Sequence, residues 1–278
     1  MYGAARPDTL RGRLAASPLP RLEAHMLWQR VLGVSRSWLI AHDTDPLDSP
    51  HLAAYEALEA RRIAGEPMAY ILERREFLGR EFRVTPDVLI PRPDTELLVE
   101  TALAVLAGRA APRVLDLGTG SGAVAISIAL ARPDARVAAT DISPAALAVA
   151  AENARTLGAS LLFFHGNWYD SLLESAPYDL IVSNPPYIHE QDPHLRRGDL
   201  RFEPAMALTD GADGLSALRV IIDGAPQRLA SSGVVCVEHG WKQAGAVREL
   251  MRRRGFADIA SLRDLAGIER VTQGRLSF

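Results

Sequence analysis

Residues 184–187, Asn-Pro-Pro-Tyr, follow a strongly apolar segment at 180–183 and are the part of the chain best suited to chemistry. Proline has no N–H to donate and its φ is fixed, so this loop can present carbonyl oxygens to a ligand. The Asn184 side-chain oxygen and the Pro185 carbonyl are two acceptors that together can hold the hydrogens of a flat NH2 group. The loop would occupy a ligand site of an open parallel sheet if the segment before it is a strand.

An amide or exocyclic amino nitrogen is a weak nucleophile, because its lone pair is delocalised into the neighbouring π system. Holding such a nitrogen in line with an activated carbon would therefore do most of the catalytic work. Tyr187 could stack on the planar group, a contact of about 0.5–1.5 kcal/mol. The motif predicts transfer to a planar nitrogen, with Asn184, Pro185 and Tyr187 as catalytic residues and Pro186 beside them in the substrate site. The alternative is an ordinary proline turn with a core tyrosine.

A glycine-rich turn at 118–122, Gly-Thr-Gly-Ser-Gly, joins an apolar strand-like segment to an apolar helix-like one. Strand, glycine turn and helix in this order let a ligand contact the backbone. Asp141 ends the next strand-like segment, where a carboxylate can accept hydrogen bonds from ribose hydroxyls. The pair predicts a nucleoside-bearing cofactor. A nicotinamide-dependent oxidoreductase would fit the same glycine pattern, but it leaves the proline loop unexplained.

Strand-like and helix-like segments alternate beyond residue 93, which predicts an α/β fold with a mostly parallel sheet covered by helices. The strands are best placed at 113–117, 136–140, 161–164, 180–183 and 234–238. Residues 8 to about 75 have helical spacing, and the pattern then changes to that of a short hairpin or connector. The predicted domains are a helical domain at 1–76, a hairpin or linker at 77–92 and the catalytic domain at 93–278.

Composition narrows the classes of partner. The 278 residues include 31 basic and 34 acidic side chains, a net charge of -3, and no long basic run, which disfavours a grip on nucleic-acid backbone. The one cysteine, Cys236, excludes an internal disulfide, and the histidines lack metal-ligand spacing, so we predict no metal. No apolar segment reaches the length needed to span a bilayer, and we expect a cytoplasmic protein without a membrane partner.

Five segments together resemble the PrmC/HemK methyltransferases, which modify the glutamine of peptide chain release factors. They are residues 89–96, 115–122, 141–144, 183–188 and 202–204. The resemblance covers nearly the whole chain, including its helical front segment. It implies a class I (Rossmann-like) methyltransferase domain with a small helical N-terminal domain, and a product that is N5-methylglutamine within a Gly-Gly-Gln loop.

The resemblance also implies ligands and site residues. The cofactor is S-adenosylmethionine, with S-adenosylhomocysteine as its product, and the partners are class 1 release factors recognised with the help of the helical domain. The implied cofactor-binding residues are Gly118, Thr119, Gly120, Ser121, Gly122, Asp141, Trp168 and Asn184. The implied substrate-binding residues are Asn184, Pro185, Pro186 and Tyr187. Arg92, Glu96 and Glu203 receive no role.

The sequence departs from the family pattern at Asp94, where many relatives carry glutamate, and at Glu73, where many carry glycine. Neither change touches the predicted chemistry. The nearest alternative is an adenine or cytosine amino-methyltransferase, because the same loop suits an amine on a flipped base. The chain has no basic, aromatic-laced segment to grip a strand, which disfavours it. A non-catalytic module that keeps the nucleoside pocket is disfavoured by the intact motifs.

Overall fold

The computed structural model describes residues 8–172 and 177–277. The chain divides into two units between Glu73 and Arg74. The predicted domain ranges begin at residue 1 and end at residue 278, so their outermost residues lie outside the described part of the chain. Within the described ranges, no helix combines the length and the apolar character that crossing a lipid bilayer requires.

Helices make up the first unit and confirm the prediction for the front of the chain. They are α1 (Leu10–Ala16), α2 (Arg21–Leu32), α3 (Arg36–Ala41), α4 (Ser49–Ile63) and α5 (Met68–Leu72). Thr9, Ser35 and Asp48 cap three of them, each accepting a hydrogen bond from a backbone N–H three residues further on. Trp28 and Tyr55 stack with ring centroids 4.1 Å apart in the core of this unit.

A two-stranded hairpin begins the second unit. Strand β1 (Arg74–Phe77) pairs antiparallel with β2 (Arg80–Arg83). Leu78 and Gly79 form the turn between them with φ values of 48° and 74°, and glycine is the residue that adopts this conformation at least cost. The hairpin thus begins at Arg74, whereas the sequence predicted its start at residue 77. The first strand, β1, consists mostly of charged residues, so it lacks the apolar pattern by which a strand is predicted.

Seven further strands form one sheet. They are β3 (Arg113–Leu117), β4 (Arg136–Asp141), β5 (Leu162–His165), β6 (Tyr178–Ser183), β7 (Leu229–Glu238), β8 (Phe256–Arg263) and β9 (Glu269–Leu276). Their order is β5-β4-β3-β6-β7-β9-β8. The first five strands pair in parallel, and each overlaps a predicted strand. The last two form an antiparallel edge that the sequence did not predict.

Helices cover both faces of this sheet. They are α6 (Glu96–Val105), α7 (Ala123–Ala131), α8 (Pro144–Leu157), α9 (Ala205–Leu208), α10 (Ser216–Gly224) and α11 (Ala244–Arg253), with 3-10 helices at Pro93–Thr95, Pro193–Arg196, Gly198–Phe202 and Ala225–Gln227. Side chains alternate along a strand, so Val114 joins the core under α6, α7 and α8. Leu115 joins the opposite core under α10 and α11. The predicted Rossmann-like α/β fold is confirmed.

Candidate active site

Three loops meet at one edge of the sheet, because β4, β3 and β6 are neighbours that run in parallel. The glycine turn at 118–122 follows β3, Asp141 ends β4, and the loop at 184–187 follows β6. Ser183 Oγ donates to the Leu117 carbonyl over 2.6 Å and ties two of the strand ends together. The structure therefore brings the sequence motifs to the edge at which open parallel sheets bind ligands.

An open cleft at this edge encloses about 990 Å³ of empty space, counting the solvent at its mouth. Its walls include these residues singled out from the sequence: Gly118, Thr119, Gly120, Ser121, Asp141, Trp168, Asn184 and Pro186. A smaller pocket adjoins it and is lined by Pro185, Tyr187 and again Asn184. Asn184 therefore lies where the two spaces meet, at the place where two reactants would have to approach each other.

The glycines of the turn serve different purposes. Gly118 has a φ of 72°, and a Cβ at this position would meet Trp168 Cζ3 at 3.2 Å. Gly122 lies outside the linings of both pockets. It precedes α7 with a φ of 83°, and a Cβ there would meet Ile126 Cδ1 at 2.7 Å, so the missing side chain lets the helix pack. Gly118 leaves room for the indole ring at the cleft, and Gly122 belongs to the scaffold.

Two backbone N–H groups hold the carboxylate of Asp141. Gly120 N–H donates to Oδ2 over 2.8 Å and Ser143 N–H donates to Oδ1 over 2.9 Å. Burial raises the pKa of Asp141, while these N–H groups act in the opposite direction. Each carboxylate oxygen keeps a further lone pair for a ligand. The arrangement presents a fixed acceptor pair to the cleft, suited to vicinal hydroxyls.

A second carboxyl group, Asp116, lies beneath the turn and was not predicted as part of the site. Its residue is 1% exposed, and Thr119 Oγ1 donates to its Oδ2 over 2.7 Å. Burial raises the pKa of Asp116 to about 7, and the Thr119 hydrogen bond opposes that rise. The sequence signal was available, since Asp116 is the one charged residue near the end of the apolar segment that leads into the glycines, but it is equally compatible with an ordinary strand residue.

The Asn184 amide is anchored by one contact that orients it. Its Nδ2 donates to Thr95 Oγ1 over 3.1 Å. This bond commits the NH2 end of the amide to Thr95 and leaves Oδ1 as the end that can accept hydrogen bonds from a ligand. Thr95 precedes α6 and is buried, and it also lines the cleft. Thr95 lies within residues 89–96, one of the segments that resemble the family. The sequence alone gave no sign that it contacts Asn184, 89 positions away.

Tyr187 is fixed at both of its polar ends. Its hydroxyl donates to Glu238 Oε1 over 3.1 Å, and its carbonyl accepts from Gln243 Nε2 over 3.0 Å. Gly214 lies so close that a Cβ there would meet the Tyr187 carbonyl oxygen at 2.4 Å. Burial raises the pKa of Tyr187, and the Glu238 carboxylate raises it further. The ring therefore stays neutral and immobilised as a wall of the smaller pocket.

The three residues left without a role have defined partners. Arg92 makes an ion pair with Glu203, whose side chain is fully buried, and the Ile90 N–H donates to Glu203 Oε2 over 3.1 Å. Burial raises the pKa of Glu203, and the Arg92 charge opposes this. Glu96 accepts from the Leu78 N–H over 3.1 Å and so holds the hairpin turn. Arg92 alone among the three lines both the cleft and the smaller pocket.

Comparisons with known proteins show which family and fold this chain is similar to. Residues 93–201 match the family model "Methyltransferase small domain", and residues 9–72 match "PrmC N-terminal domain". A release factor glutamine methyltransferase of Bordetella pertussis is 61% identical over 96% of this chain and 99% of its own length. One of Burkholderia pseudomallei is 54% identical over 97% of each. A T. thermophilus 16S rRNA methyltransferase, solved with AdoMet and guanosine, shares the fold with a TM-score of 0.55 and 23% identity, over 73% of this chain and 49% of its own.

Proposed function

Because the chain belongs to the family of release factor glutamine methyltransferases, we propose that it methylates peptide chain release factors with S-adenosylmethionine. The acceptor is the side-chain amide nitrogen of the glutamine in the Gly-Gly-Gln loop, and the product is N5-methylglutamine. The cytoplasm, where translation terminates, is the compartment that we propose. The observation that carries the chemistry is the hydrogen bond from Asn184 Nδ2 to Thr95, which reserves Oδ1 for the substrate at the junction of two pockets.

The donor set and shape of the cleft fit S-adenosylmethionine. Asp141 offers a fixed carboxylate to the two ribose hydroxyls, and its N–H partners keep the charged form available. Gly118 exposes backbone where a side chain would crowd the cleft, and Trp168 offers its ring to the adenine region. When bound, the cofactor supplies a methyl carbon activated by a sulfonium.

Positioning is the main catalytic contribution of the protein's own residues. Asn184 Oδ1 and the Pro185 carbonyl accept hydrogen bonds from the two amide hydrogens and turn the nitrogen toward the cleft. Pro186 lines the cleft next to them, and the Tyr187 ring bounds the glutamine side of the site. No strong base is required before attack, since the nitrogen becomes acidic only after it has gained the methyl group. The released proton then passes to water.

We propose that the helical first unit helps to recognise the release factor. The match of residues 9–72 to a family N-terminal domain supports this assignment.

A transfer assay with several acceptors tests the function. The protein is incubated with radiolabelled S-adenosylmethionine and, in parallel, with release factor, duplex DNA or tRNA, and the labelled product is identified by mass spectrometry. We expect label on the Gly-Gly-Gln glutamine and none on either nucleic acid. Label confined to DNA or tRNA would overturn the assignment and favour an amino-methyltransferase acting on a base. A release factor with the glutamine replaced by asparagine is the matched acceptor control, because it keeps an amide but shortens its reach.

A further inference from the structure

The side-chain amide of Gln243 joins three loops of the second unit. Its Nε2 donates to the Tyr187 carbonyl and to the Gly214 carbonyl, each over 3.0 Å. Its Oε1 accepts from the Gly240 N–H over 2.8 Å. The three partners follow β6, precede α10 and follow β7, so one half-buried side chain connects loops that are distant in sequence. The chemistry described so far gives Gln243 no role.

Its backbone partners fix which way the Gln243 amide points. A carbonyl oxygen only accepts hydrogen bonds and a backbone N–H only donates one. The NH2 end must therefore face Tyr187 and Gly214, and the oxygen must face Gly240. Turned over, the amide would place its oxygen against two carbonyl oxygens and its NH2 against an N–H. Gln243 thus has a single favourable orientation, in which both hydrogens of its NH2 are used.

Two glycines let the backbone approach this amide closely. A Cβ on Gly214 would collide with the Tyr187 carbonyl oxygen and would lie 3.0 Å from Gln243 Nε2. A Cβ on Gly240 would lie 3.0 Å from Gln243 Oε1 and 3.5 Å from Cδ2 of the Tyr187 ring. The loops before α10 and after β7 therefore pack directly against Gln243 and Tyr187, and they leave little space for Tyr187 to shift.

Gln243 holds one side of a peptide group whose other side is also held. The Tyr187 carbonyl and the Ile188 N–H belong to the same planar group. The carbonyl accepts from Gln243, and the N–H donates to the Leu208 carbonyl over 3.0 Å. The plane of this group sets the direction in which the Tyr187 ring leaves the backbone. Without Gln243 the carbonyl side of the peptide group loses this hydrogen bond, and the plane is less restrained.

We infer that Gln243 is a positioning residue for methyl transfer, which keeps the Tyr187 ring in place by holding its peptide group. The inference rests on the proposed function, in which this ring bounds the glutamine side of the site. A displaced ring would let the substrate amide tilt away from the line of transfer, which lowers kcat. Neither Gln243 nor Tyr187 lines the larger cleft assigned to S-adenosylmethionine, so cofactor affinity is kept.

Gln243→Met tests the inference, because methionine has a similar length but cannot donate to the two carbonyls. We expect kcat for release factor methylation to fall by about 10-fold, with the Kd for S-adenosylmethionine within about 2-fold of wild type. Lys242→Ala is the control, since this neighbouring side chain is exposed and lies over the Trp241 ring. Wild-type kcat in Gln243→Met, or an equal loss in Lys242→Ala, would overturn the inference. If Gln243→Met does not fold, Gln243→Glu replaces it, because it keeps an acceptor for the Gly240 N–H.

A double-mutant cycle separates positioning of the ring from a general structural effect. Tyr187→Ala removes the ring, so Gln243→Met has no ring left to displace in that background. Rates are measured in single turnovers with excess enzyme, so that slow transfer remains measurable. We expect the loss of about 10-fold caused by Gln243→Met to shrink to less than about 2-fold in Tyr187→Ala. A loss of the same size in both backgrounds would show that Gln243 does not act through the ring.

A further measurement on the wild-type protein does not depend on activity. The side-chain NH2 signals of Gln243 are assigned in a 1H–15N correlation spectrum by their absence in Gln243→Met. Both hydrogens are bonded to carbonyls, so we expect them to exchange with solvent more slowly than those of the exposed Gln191. Exchange as fast as that of Gln191 would refute the bonds. If the wild-type protein methylates no release factor, the proposed function fails, whereas this measurement still decides whether Gln243 holds the loop.

Discussion

The indole ring of Trp168 lies against Gly118 so closely that a Cβ on the glycine would meet Cζ3 at 3.2 Å and Cη2 at 3.7 Å. Gly118 also has a φ of 72°, and Trp168 itself has a φ of 49°. Both residues thus adopt the left-handed region, which costs a non-glycine residue about 1–2 kcal/mol. The loop that carries Trp168 is therefore held over the glycine turn at a conformational cost.

Alanine at Gly118 should expose this contact. We expect Gly118→Ala to lower the free energy of unfolding by more than the backbone strain of an alanine at this φ accounts for. When Trp168→Ala is combined with it, this additional loss should disappear, because the new Cβ no longer meets the indole ring. In a double-mutant cycle followed by urea unfolding, we expect a coupling of about 0.5–3 kcal/mol. Gly120→Ala is the control, because its φ is 55° but a Cβ there meets nothing within 4 Å. Additive effects at Gly118 and Trp168 would contradict a direct contact.

Asn153 joins the glycine turn to the hairpin. Its Nδ2 donates to the Ser121 carbonyl over 2.8 Å and to the Arg83 carbonyl over 3.0 Å, and its Oδ1 accepts from the Arg83 N–H over 2.7 Å. We expect Asn153→Ala to lower the free energy of unfolding by about 1–3 kcal/mol, since it leaves buried polar groups unpaired. It should also weaken cofactor binding in calorimetry, because the Ser121 carbonyl is no longer held.

The neighbouring residue supplies the control. Glu152 pairs with Arg83 over 2.7 Å, but both side chains are more than 40% exposed. Exposed pairs of this kind contribute about 0–1 kcal/mol. Glu152→Ala should therefore have little effect on stability and none on cofactor affinity. A loss in Glu152→Ala as large as that in Asn153→Ala would mean that the Asn153 bonds do not carry the effect.

The sequence predicted the scaffold of this site because local patterns encode it. The apolar strand before Gly118, the carboxylate after the next strand and the proline loop each occupy a few consecutive residues. Five parallel strands follow from the same patterns, and they bring the three motifs to one edge of the sheet. The antiparallel strands β8 and β9 were not predicted, because their charged and polar residues interrupt the alternation of apolar and polar side chains that indicates a strand.

The residues behind the loop could not be predicted for a different reason. Thr95 bonds to a residue 89 positions away, and Glu238 bonds to one 51 positions away. Both are common polar residues at the ends of secondary-structure elements, where they would serve equally well as caps. Their role depends on which strands become neighbours, and on burial that only the folded chain provides. Arg92 and Glu203, 111 positions apart, remained unassigned for the same reason.

Asp116 should make stability depend on pH. Burial raises its pKa to about 7 in the folded protein, against about 3.9 in an unfolded chain. The folded state therefore binds the proton more tightly, and its stabilisation is complete below about pH 4 and is lost as pH rises toward 7. In Asp116→Asn this dependence disappears, while an oxygen remains for the Thr119 hydroxyl. Between pH 5 and pH 6 we expect wild type to lose on the order of 1 kcal/mol of stability relative to the variant, and the loss per pH unit becomes smaller as pH approaches the folded-state pKa near 7.

Urea unfolding of both proteins at pH 5, 6 and 7 measures this difference. Glu238, whose pKa burial likewise raises to about 7, is present in both proteins and cancels in the comparison. A stability difference that stays constant over the three pH values would show that Asp116 is ionised throughout, and the burial argument for this carboxyl group would then be wrong.

Removal of the Asn184 side chain separates substrate positioning from cofactor binding. Asn184→Ala deletes the Oδ1 acceptor but leaves Asp141 and its N–H partners intact. We expect kcat for release factor methylation to fall by about 10²-fold or more, since the amide nitrogen loses one of the two groups that orient it. The Kd for S-adenosylmethionine, measured by calorimetry on the same preparation, should change by less than about 3-fold. This corresponds to a change in binding free energy of less than about 1 kcal/mol. Transfer at the wild-type rate would show that Asn184 does not hold the substrate amide. A loss of S-adenosylmethionine affinity that parallels the loss of kcat would show that its main role is in cofactor binding instead.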